Sequence, residues 1–334
     1  MSYDFQIMAY SKQSTSTEIY WAIRNCGHLI TSLHSAIASP PFYHYTDFAG
    51  LKGILSDRTM WFSHIRTMND PSELDYGRSV VLKALEAHAR QEHCLPEVLT
   101  FLDRCADLLY LLDRNQHQFY VACFSEHGNR LSQWRGYASG GHGYCMKFNI
   151  NTATQYGYLP GAGHTDATVH TRKIVYDPMK QSEIARKGVN AIVQGFKKTT
   201  KNGRLKTLED RLNHTVPESA DFLLDLLLTF KHAAFEEEAE WRMLLVMDSG
   251  FRQETIQYRN GCAGVTPFIA MRISKLQDGS QLFPIETITA GPGLDPLTSI
   301  DVTKMLVGTA SKSDHWIQIQ PDEITVEHAG FRLR

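Results

Sequence analysis

A histidine lies at the end of a predicted strand, directly before a turn into a helix. The segment Phe42–Leu55 changes there from the apolar alternation of a strand to the spacing of a helix. Asp47 has the side chain of a helix N-cap, so the strand is expected to end near Thr46. His44 would then lie at the rim of a sheet, where a ligand reaches a side chain held by a fixed backbone. On its position alone, a core histidine beside a turn is the more common case.

A run of glutamates precedes an unusually apolar segment late in the chain. If a strand begins near Ala239, Glu240 and Arg242 share one face of it, and Glu238 lies at its start. Carboxylates at such a position can stabilise a positive charge that develops during a reaction. The alternative is a solvated acidic helix end followed by a structural pair of Arg242 with a glutamate.

Stacking and cationic side chains cluster in the middle of the chain. The predicted strand Gln118–Glu126 contains the hydroxyl of Ser125, and Trp134, Arg135 and Tyr137 follow within a short segment. An aromatic ring and a planar guanidinium suit a nucleobase and a pyrophosphate. The glycines that come next do not have the spacing of a phosphate-binding loop.

Composition restricts the class of protein. The chain has 334 residues, of which 43% are hydrophobic, and a formal net charge of -2, so no overall positive field favours nucleic acid or acidic membranes. Six cysteines are scattered without a C-x-x-C pair. The sequence shows neither a secretory leader nor a run of about 20 apolar residues that could span a bilayer. We therefore expect a cytoplasmic protein that does not insert into membranes.

The pattern of elements predicts an α+β domain at 40–334 with two helical insertions, at about 72–115 and 180–235. An N-terminal helical extension, 1–39, precedes it. Its apolar stripe suits either a dimerising helix, and hence a homodimer, or an extra helix packed on the domain. Asn69-Asp70-Pro71 predicts a turn, and Glu73 suits the first turn of the next helix.

Several short motifs, taken in order, resemble a large bacterial family of unknown function. They are His44-Tyr45-Thr46, Asn69-Asp70-Pro71-Ser72-Glu73, Cys123-Phe124-Ser125-Glu126, Trp134-Arg135-Gly136-Tyr137, Gly143-Tyr144-Cys145, Glu238-Ala239-Glu240-Trp241-Arg242 and Ala290-Gly291-Pro292. That family looks similar to the ADP-ribosyltransferase superfamily, which includes toxins that modify nucleic acids. The resemblance covers about 40–330 and implies an ADP-ribosyltransferase-like split β-sandwich with NAD in its cleft.

The resemblance also implies roles for individual residues. His44 matches the histidine at the adenosine ribose, and Thr46 matches its strand neighbour. Glu240 matches the glutamate at the nicotinamide ribose, with Glu238 as the alternative catalytic residue. Tyr45 belongs to the same expected NAD-binding set.

For the remaining NAD contacts, the resemblance leaves more than one candidate residue for some roles. Tyr137 and Trp134 both match the aromatic residue at the nicotinamide, and Ser125 matches a hydroxyl residue of a related class. Arg135 or Arg242 would hold the pyrophosphate. Ser63, in the second predicted strand, completes the set.

The implied activity is NAD-dependent ADP-ribosyl transfer, with NAD as substrate and no metal. The implied setting is a toxin or phage-defence effector that modifies nucleic acid or protein. Because the helical insertions are long, an inactive nucleotide-binding or RNA-binding module of the same fold stays open, and a metal-dependent hydrolase is a third alternative. On the main hypothesis we expect His44, Tyr45, Ser125, Tyr137 and Glu240 to converge on one cleft.

Overall fold

The computed structural model describes residues 41–68, 72–114, 119–150, 154–158, 168–201, 205–246, 256–261, 264–313 and 315–331. The predicted N-terminal helix, with its dimer alternative, and the Asn69-Asp70-Pro71 turn lie outside these residues.

The fold is α+β, as the sequence predicts. The helices are α1 (Phe48–Asp57), α2 (Glu73–Ala89), α3 (Pro96–Arg114), α4 (Leu131–Tyr137), α5 (Pro178–Lys198), α6 (Leu208–Leu227) and α7 (Pro296–Ser311). The strands are β1 (Phe42–Thr46), β2 (Thr59–His64), β3 (Tyr120–Ser125), β4 (Tyr144–Phe148), β5 (Thr154–Tyr158), β6 (Thr168–Lys173), β7 (Glu240–Val246), β8 (Gln257–Gly261), β9 (Gly264–Gln277), β10 (Ser280–Leu282), β11 (Ile285–Ala290), β12 (Ile317–Gln318) and β13 (Thr325–His328).

All of these strands belong to one mixed, curled sheet. Its main path runs β12-β10-β9-β2-β3-β1-β4-β11-β13, and β7 lies against β3 with β6 beyond it. β7 pairs with β3 from Tyr120 to Ser125, so β1 and β2 must share the other edge of β3. β2 pairs there with Tyr120 and Val121, and β1 pairs with Ser125. The sheet therefore opens between β1 and β2.

Each face of the sheet is covered by its own helices. On one face, α1 and α7 join a core that includes Leu51, Phe124 and Met243. On the other face, α2, α3, α5 and α6 form a second core that includes Val121 and Leu244. The two predicted helical insertions thus pack against each other and against the same face of the sheet.

Local sequence signals set where several helices begin. Asp47 caps α1, since its carboxylate accepts the N–H of Gly50 at 2.7 Å. Asp177 caps α5 in the same way, so this helix begins at Pro178, close to the predicted start of the second helical insertion at about 180. The second helical insertion, predicted to reach about 235, ends earlier, because α6 stops at Leu227. The segment between α6 and β7 forms part of the candidate site.

No helix in the described part of the chain is both long and apolar enough to cross a membrane.

Close packing of α2 on α6 gives a prediction about stability. A Cβ on Gly77 would lie 2.2 Å from the backbone oxygen of Leu227, which cannot move aside as a side chain can. We expect Gly77→Ala to lower the free energy of unfolding by about 1 to 3 kcal/mol. Urea denaturation should show the loss. Gly308→Ala in α7, where a Cβ meets nothing within 4 Å, is the control and should not destabilise the protein.

Candidate functional site

Five charged side chains form a buried cluster under the start of β7. We call this group, Glu73, Lys231, Glu238, Glu240 and Arg242, the ion cluster. They come from the first turn of α2, from the segment after α6, and from the start of β7. Burying this many charges is tolerated only where they pair with one another.

Lys231 lies at the centre of the ion cluster. Its Nζ is 2.7 Å from Glu73 Oε1 and 3.0 Å from Glu240 Oε2, and it also donates to Glu238 Oε2. An ammonium group has three N–H donors, so each donor has one carboxylate acceptor. Nζ also lies over the ring of Phe235, 4.9 Å from the ring centroid. The ammonium therefore bridges three glutamates that are far apart in sequence.

Arg242 binds Glu240 through two bonds. Its Nε donates to Oε1 at 2.7 Å and its terminal nitrogen donates to Oε2 at 3.1 Å. The same nitrogen donates to Glu73, and the other donates to the carbonyl oxygen of Leu228 at 3.2 Å. With Lys231 at Oε2 as well, both carboxylate oxygens of Glu240 are occupied. This geometry is the structural Arg–Glu pair that the sequence left as an alternative.

The backbone around Lys231 is held by α5 and by the strand-like segment before it. Lys231 N–H donates to Val175 at 3.2 Å, and the side-chain amide of Gln181 donates to the Lys231 carbonyl at 2.8 Å. Tyr76 from α2 donates to the same Gln181 at 2.7 Å. The position of Lys231 thus depends on contacts between the two helical insertions.

Glu238 is the member of the ion cluster that reaches solvent. Its side chain is 14% exposed, against 6% for Glu240 and 7% for Glu73. The hydroxyl of Tyr137 donates to Glu238 Oε1 at 2.6 Å. The backbone is fixed too, because Ser125 Oγ donates to the Glu238 carbonyl at 2.7 Å.

Glu238, just before β7, and Glu240, its first residue, have pKa values shifted in opposite directions. Burial raises the pKa of Glu238 and the charge of Glu240 adds to this, against the opposing charge of Lys231. Burial also acts to raise the pKa of Glu240, but Arg242 and Lys231 outweigh it and lower that pKa to about 2. Two carboxyls with opposed shifts divide between an ionised role and a proton-exchanging role. Of the two, Glu238 is the carboxyl that takes up a proton at the higher pH.

Tyr43, Ser125 and Glu240 stand side by side on β1, β3 and β7. Residues paired directly across strands point to the same face of the sheet. Successive residues of a strand alternate between the faces, so His44, which follows Tyr43, points to the opposite face. Its ring turns into the opening of the sheet, where Nδ1 lies 2.9 Å from the carbonyl oxygen of Cys123. The strands that carry the predicted residues are therefore neighbours, but His44 and Glu240 do not line one cleft as expected.

The opening of the sheet also contains Arg259, which the sequence analysis missed. Arg259 donates to Ser63 Oγ at 2.8 Å and stacks over the ring of Trp61 at 5.6 Å. Burial lowers the pKa of His44, its bond to Cys123 opposes this, and the charge of Arg259 lowers it further. Because a carbonyl oxygen only accepts hydrogen bonds, Nδ1 of the neutral ring carries the proton and Nε2 is the acceptor.

Two of the predicted aromatic contacts are internal. Trp134 is fully buried and donates from Nε1 to Asn129 at 2.9 Å. Tyr45 packs edge-on against Trp134, and its hydroxyl donates to the His127 carbonyl at 2.7 Å. Tyr137, which is only partly buried, is thus the aromatic side chain of this group that a ligand can reach.

The remaining predicted residues differ in access. Arg135 is exposed on α4 and Thr46 is partly buried at the end of β1, while Ser125 is buried and accepts the His127 N–H at 3.2 Å. Arg130, just before α4, donates to the Glu237 carbonyl at 3.3 Å. Two guanidinium groups therefore lie on the α4 segment that also carries Tyr137.

Residues 133–243 match the model of a family described as a protein of unknown function (DUF2971). The matched range contains Tyr137 and every member of the ion cluster except Glu73, which α2 supplies from outside it. Comparisons with curated proteins and with solved structures gave no match. The similarity to a family of unknown function agrees with the sequence analysis at that level.

Proposed function

We propose that this chain is an ADP-ribosyltransferase-like enzyme that cleaves the nicotinamide–ribose bond of NAD, with Glu238 as the reacting carboxylate. The observation that carries the proposal is the state of Glu238. Within the ion cluster it alone combines the greatest solvent access, a raised pKa and a position fixed by Tyr137 and Lys231. Perturbed acidity at an accessible, fixed carboxyl favours catalysis over a purely structural role.

The proposed chemistry needs a carboxylate of this kind. As the bond between ribose C1′ and the nicotinamide nitrogen breaks, its electron pair leaves with nicotinamide and positive charge develops on the sugar. Ionised Glu238 stabilises that charge. A hydroxyl or amine of the acceptor, or water, then forms the new bond to C1′ and gives up a proton, which Glu238 can accept.

The surrounding residues supply the other parts of a nucleotide site. Tyr137 offers a ring beside Glu238, and Arg130 and Arg135 offer planar cations for a pyrophosphate. β1, β3 and β7 are neighbours, and the sheet opens between β1 and β2. This arrangement supports the more specific proposal that the fold is a split β-sandwich. In this scheme Glu240 has a structural role.

Because His44 faces the opening of the sheet and not the side of Glu240, NAD is proposed to extend from Glu238 to that opening. There His44 binds a ribose hydroxyl through Nε2, since Nδ1 is engaged with Cys123. We expect His44→Ala to weaken NAD binding by about tenfold, the scale of one hydrogen bond. Isothermal titration of the wild type and the variant measures this. His88→Ala is the control, because His88 bonds to Asn190 in the helical layer and should leave NAD binding unchanged. Equal affinity in His44→Ala would remove His44 from the site.

A nucleotide-binding module without catalysis is the second candidate. It is favoured by the burial of Glu240, the residue that best matches the catalytic glutamate of the resembling superfamily. NAD binding without release of nicotinamide would support this candidate. If nicotinamide is released, NAD labelled in its adenylate half distinguishes nucleic acid from protein as the acceptor, the two classes expected of a toxin or phage-defence effector.

A further inference from the structure

We propose that Glu73 is a positioning residue of this site, which shares Lys231 with Glu238 and so leaves Glu238 as the carboxyl that exchanges its proton with solvent. The catalytic meaning of this inference rests on the proposed function. Its physical content, the control of Glu238 by Glu73, does not need NAD to be the substrate.

The geometry brings Glu73 to both cations of the ion cluster. Glu73 Oε1 lies 2.7 Å from Lys231 Nζ, and Oε2 accepts from Arg242. It is 7% exposed, so water does little to screen it. A carboxylate at the first turn of α2 would be satisfied by the helix end alone, yet this one turns under β7 to the ion cluster. Its bonds therefore connect the start of α2 to the two cations of the ion cluster.

Glu73 determines the net charge of the ion cluster. With every group ionised, the ion cluster has three carboxylates and two cations, which leaves one negative charge in excess. An excess buried charge is removed most easily by a proton on the group nearest solvent. That group is Glu238. If Glu73 were neutral, Lys231 and Arg242 would balance Glu238 and Glu240, and the site would have no reason to hold an extra proton.

The titratable and charged groups near Glu238 do not alter this count. Glu238 faces Lys231 and Glu240, which the count already includes, and Tyr137 of α4 and Tyr176 between β6 and α5. Cys123 of β3 faces Glu240 and Arg242. The two tyrosines and the thiol have pKa values raised by burial, so they stay neutral near pH 7.

Stability as a function of pH reports the proton on Glu238 without any substrate. A carboxyl whose pKa is higher in the folded protein binds its proton more tightly there than in the unfolded chain. It therefore adds stability at low pH, and this stability is lost as pH rises from the ordinary value of 4.5 through the folded pKa. Glu240 acts in the opposite direction and below 4.5, since its pKa is lowered to about 2. The two contributions fall in separate ranges of pH.

The experiment measures melting temperature from pH 4.5 upward for wild type, Glu73→Gln, Glu73→Asp and Glu238→Gln. The expected result is a loss of stability with rising pH that is smaller in both Glu73→Gln and Glu238→Gln than in the wild type. The part of the loss that comes from Asp221, whose pKa burial raises to about 7, should be the same in all four proteins. Glu73→Asp keeps the negative charge and should keep the loss. Asp75→Asn is the matched control, because Asp75 lies in the same turn of α2, but its side chain is 67% exposed and pairs with Arg78 and not with the ion cluster.

A double variant adds a second readout. Removing both Glu73 and Glu238 leaves two cations with one carboxylate, so the melting temperature of Glu73→Gln/Glu238→Gln should fall by more than the sum of the single decreases. Glu73→Gln itself should fold, since its charges balance.

Three results would overturn the inference: a wild-type pH profile in Glu73→Gln, additive decreases in the double variant, or a Glu73→Gln protein that does not fold. Failure of the proposed function looks different. In that case the pH profiles show the expected pattern, but nicotinamide release from NAD is absent in the wild type.

Discussion

We expect Glu238→Gln to slow nicotinamide release from NAD by about 100-fold or more, the scale of losing one electrostatic contact in a transition state. Glutamine keeps the shape of the side chain: its amide oxygen can accept from Lys231 and its amide nitrogen can donate to the Tyr137 hydroxyl, so the fold and most of the NAD affinity should persist. It carries no negative charge, however, and cannot stabilise a cationic sugar. Steady-state release of nicotinamide and titration with NAD measure the two effects separately.

The neighbouring residue supplies the control for this variant. Glu237 is exposed and precedes Glu238 in the same turn, so Glu237→Gln removes one charge from the same surface without touching the ion cluster. It should retain nearly full activity. Wild-type activity in Glu238→Gln would exclude Glu238 as the reacting carboxylate.

Catalysis should also depend on pH in a defined direction. Glu238 works as a carboxylate, and its pKa is raised above 4.5 by burial and by Glu240. Activity should therefore fall on the acid side at a pH above that of an ordinary glutamate.

Much of the fold could be predicted from the sequence, because local patterns decide it. Asp47 marked the start of α1, and the apolar alternation before it marked β1. Proline is favoured in the first turn of a helix, and α3 begins at Pro96 within the first helical insertion. Short strands such as β8 and β12 were missed, since neither has a period that stands out from a loop.

The candidate site was predictable only in part, for a different reason. Lys231 lies beyond the end of α6, where neither glycine nor proline marks a boundary, so the pattern placed it on a helix. Glu73 was recognised only as a helix-end carboxylate. Which cations come to lie beside which glutamates depends on how α2, α6 and β7 pack, and no local pattern contains that information.

The choice between Glu238 and Glu240 depended on the same packing. Both precede or begin an apolar strand, and the family resemblance favoured Glu240. Arg242 shares a strand face with Glu240, as its spacing predicted, and this pairing occupies the carboxylate that the resemblance made catalytic. Glu238 lies two residues before the start of the strand and keeps access to solvent.

We expect Arg242→Met to destabilise the protein by about 3 to 5 kcal/mol, the usual cost of breaking a buried charge pair from one side. Methionine fills much of the space but leaves Glu73 and Glu240 with Lys231 as the remaining cation of the ion cluster. The Leu228 carbonyl also loses its donor. Urea denaturation at pH 7 measures the loss.

The deficit of Arg242→Met should shrink as pH falls. In the wild type, Glu240 loses its stabilising charge only near its lowered pKa of about 2. Without Arg242 that pKa rises, so the variant takes up the proton at higher pH and relieves the unpaired charge. Arg90→Met is the control, because the Arg90–Glu86 pair has side chains 79% and 61% exposed and should contribute about 0 to 1 kcal/mol. A loss as small as that of the control, or one that does not vary with pH, would mean that Arg242 does not hold the ion cluster together.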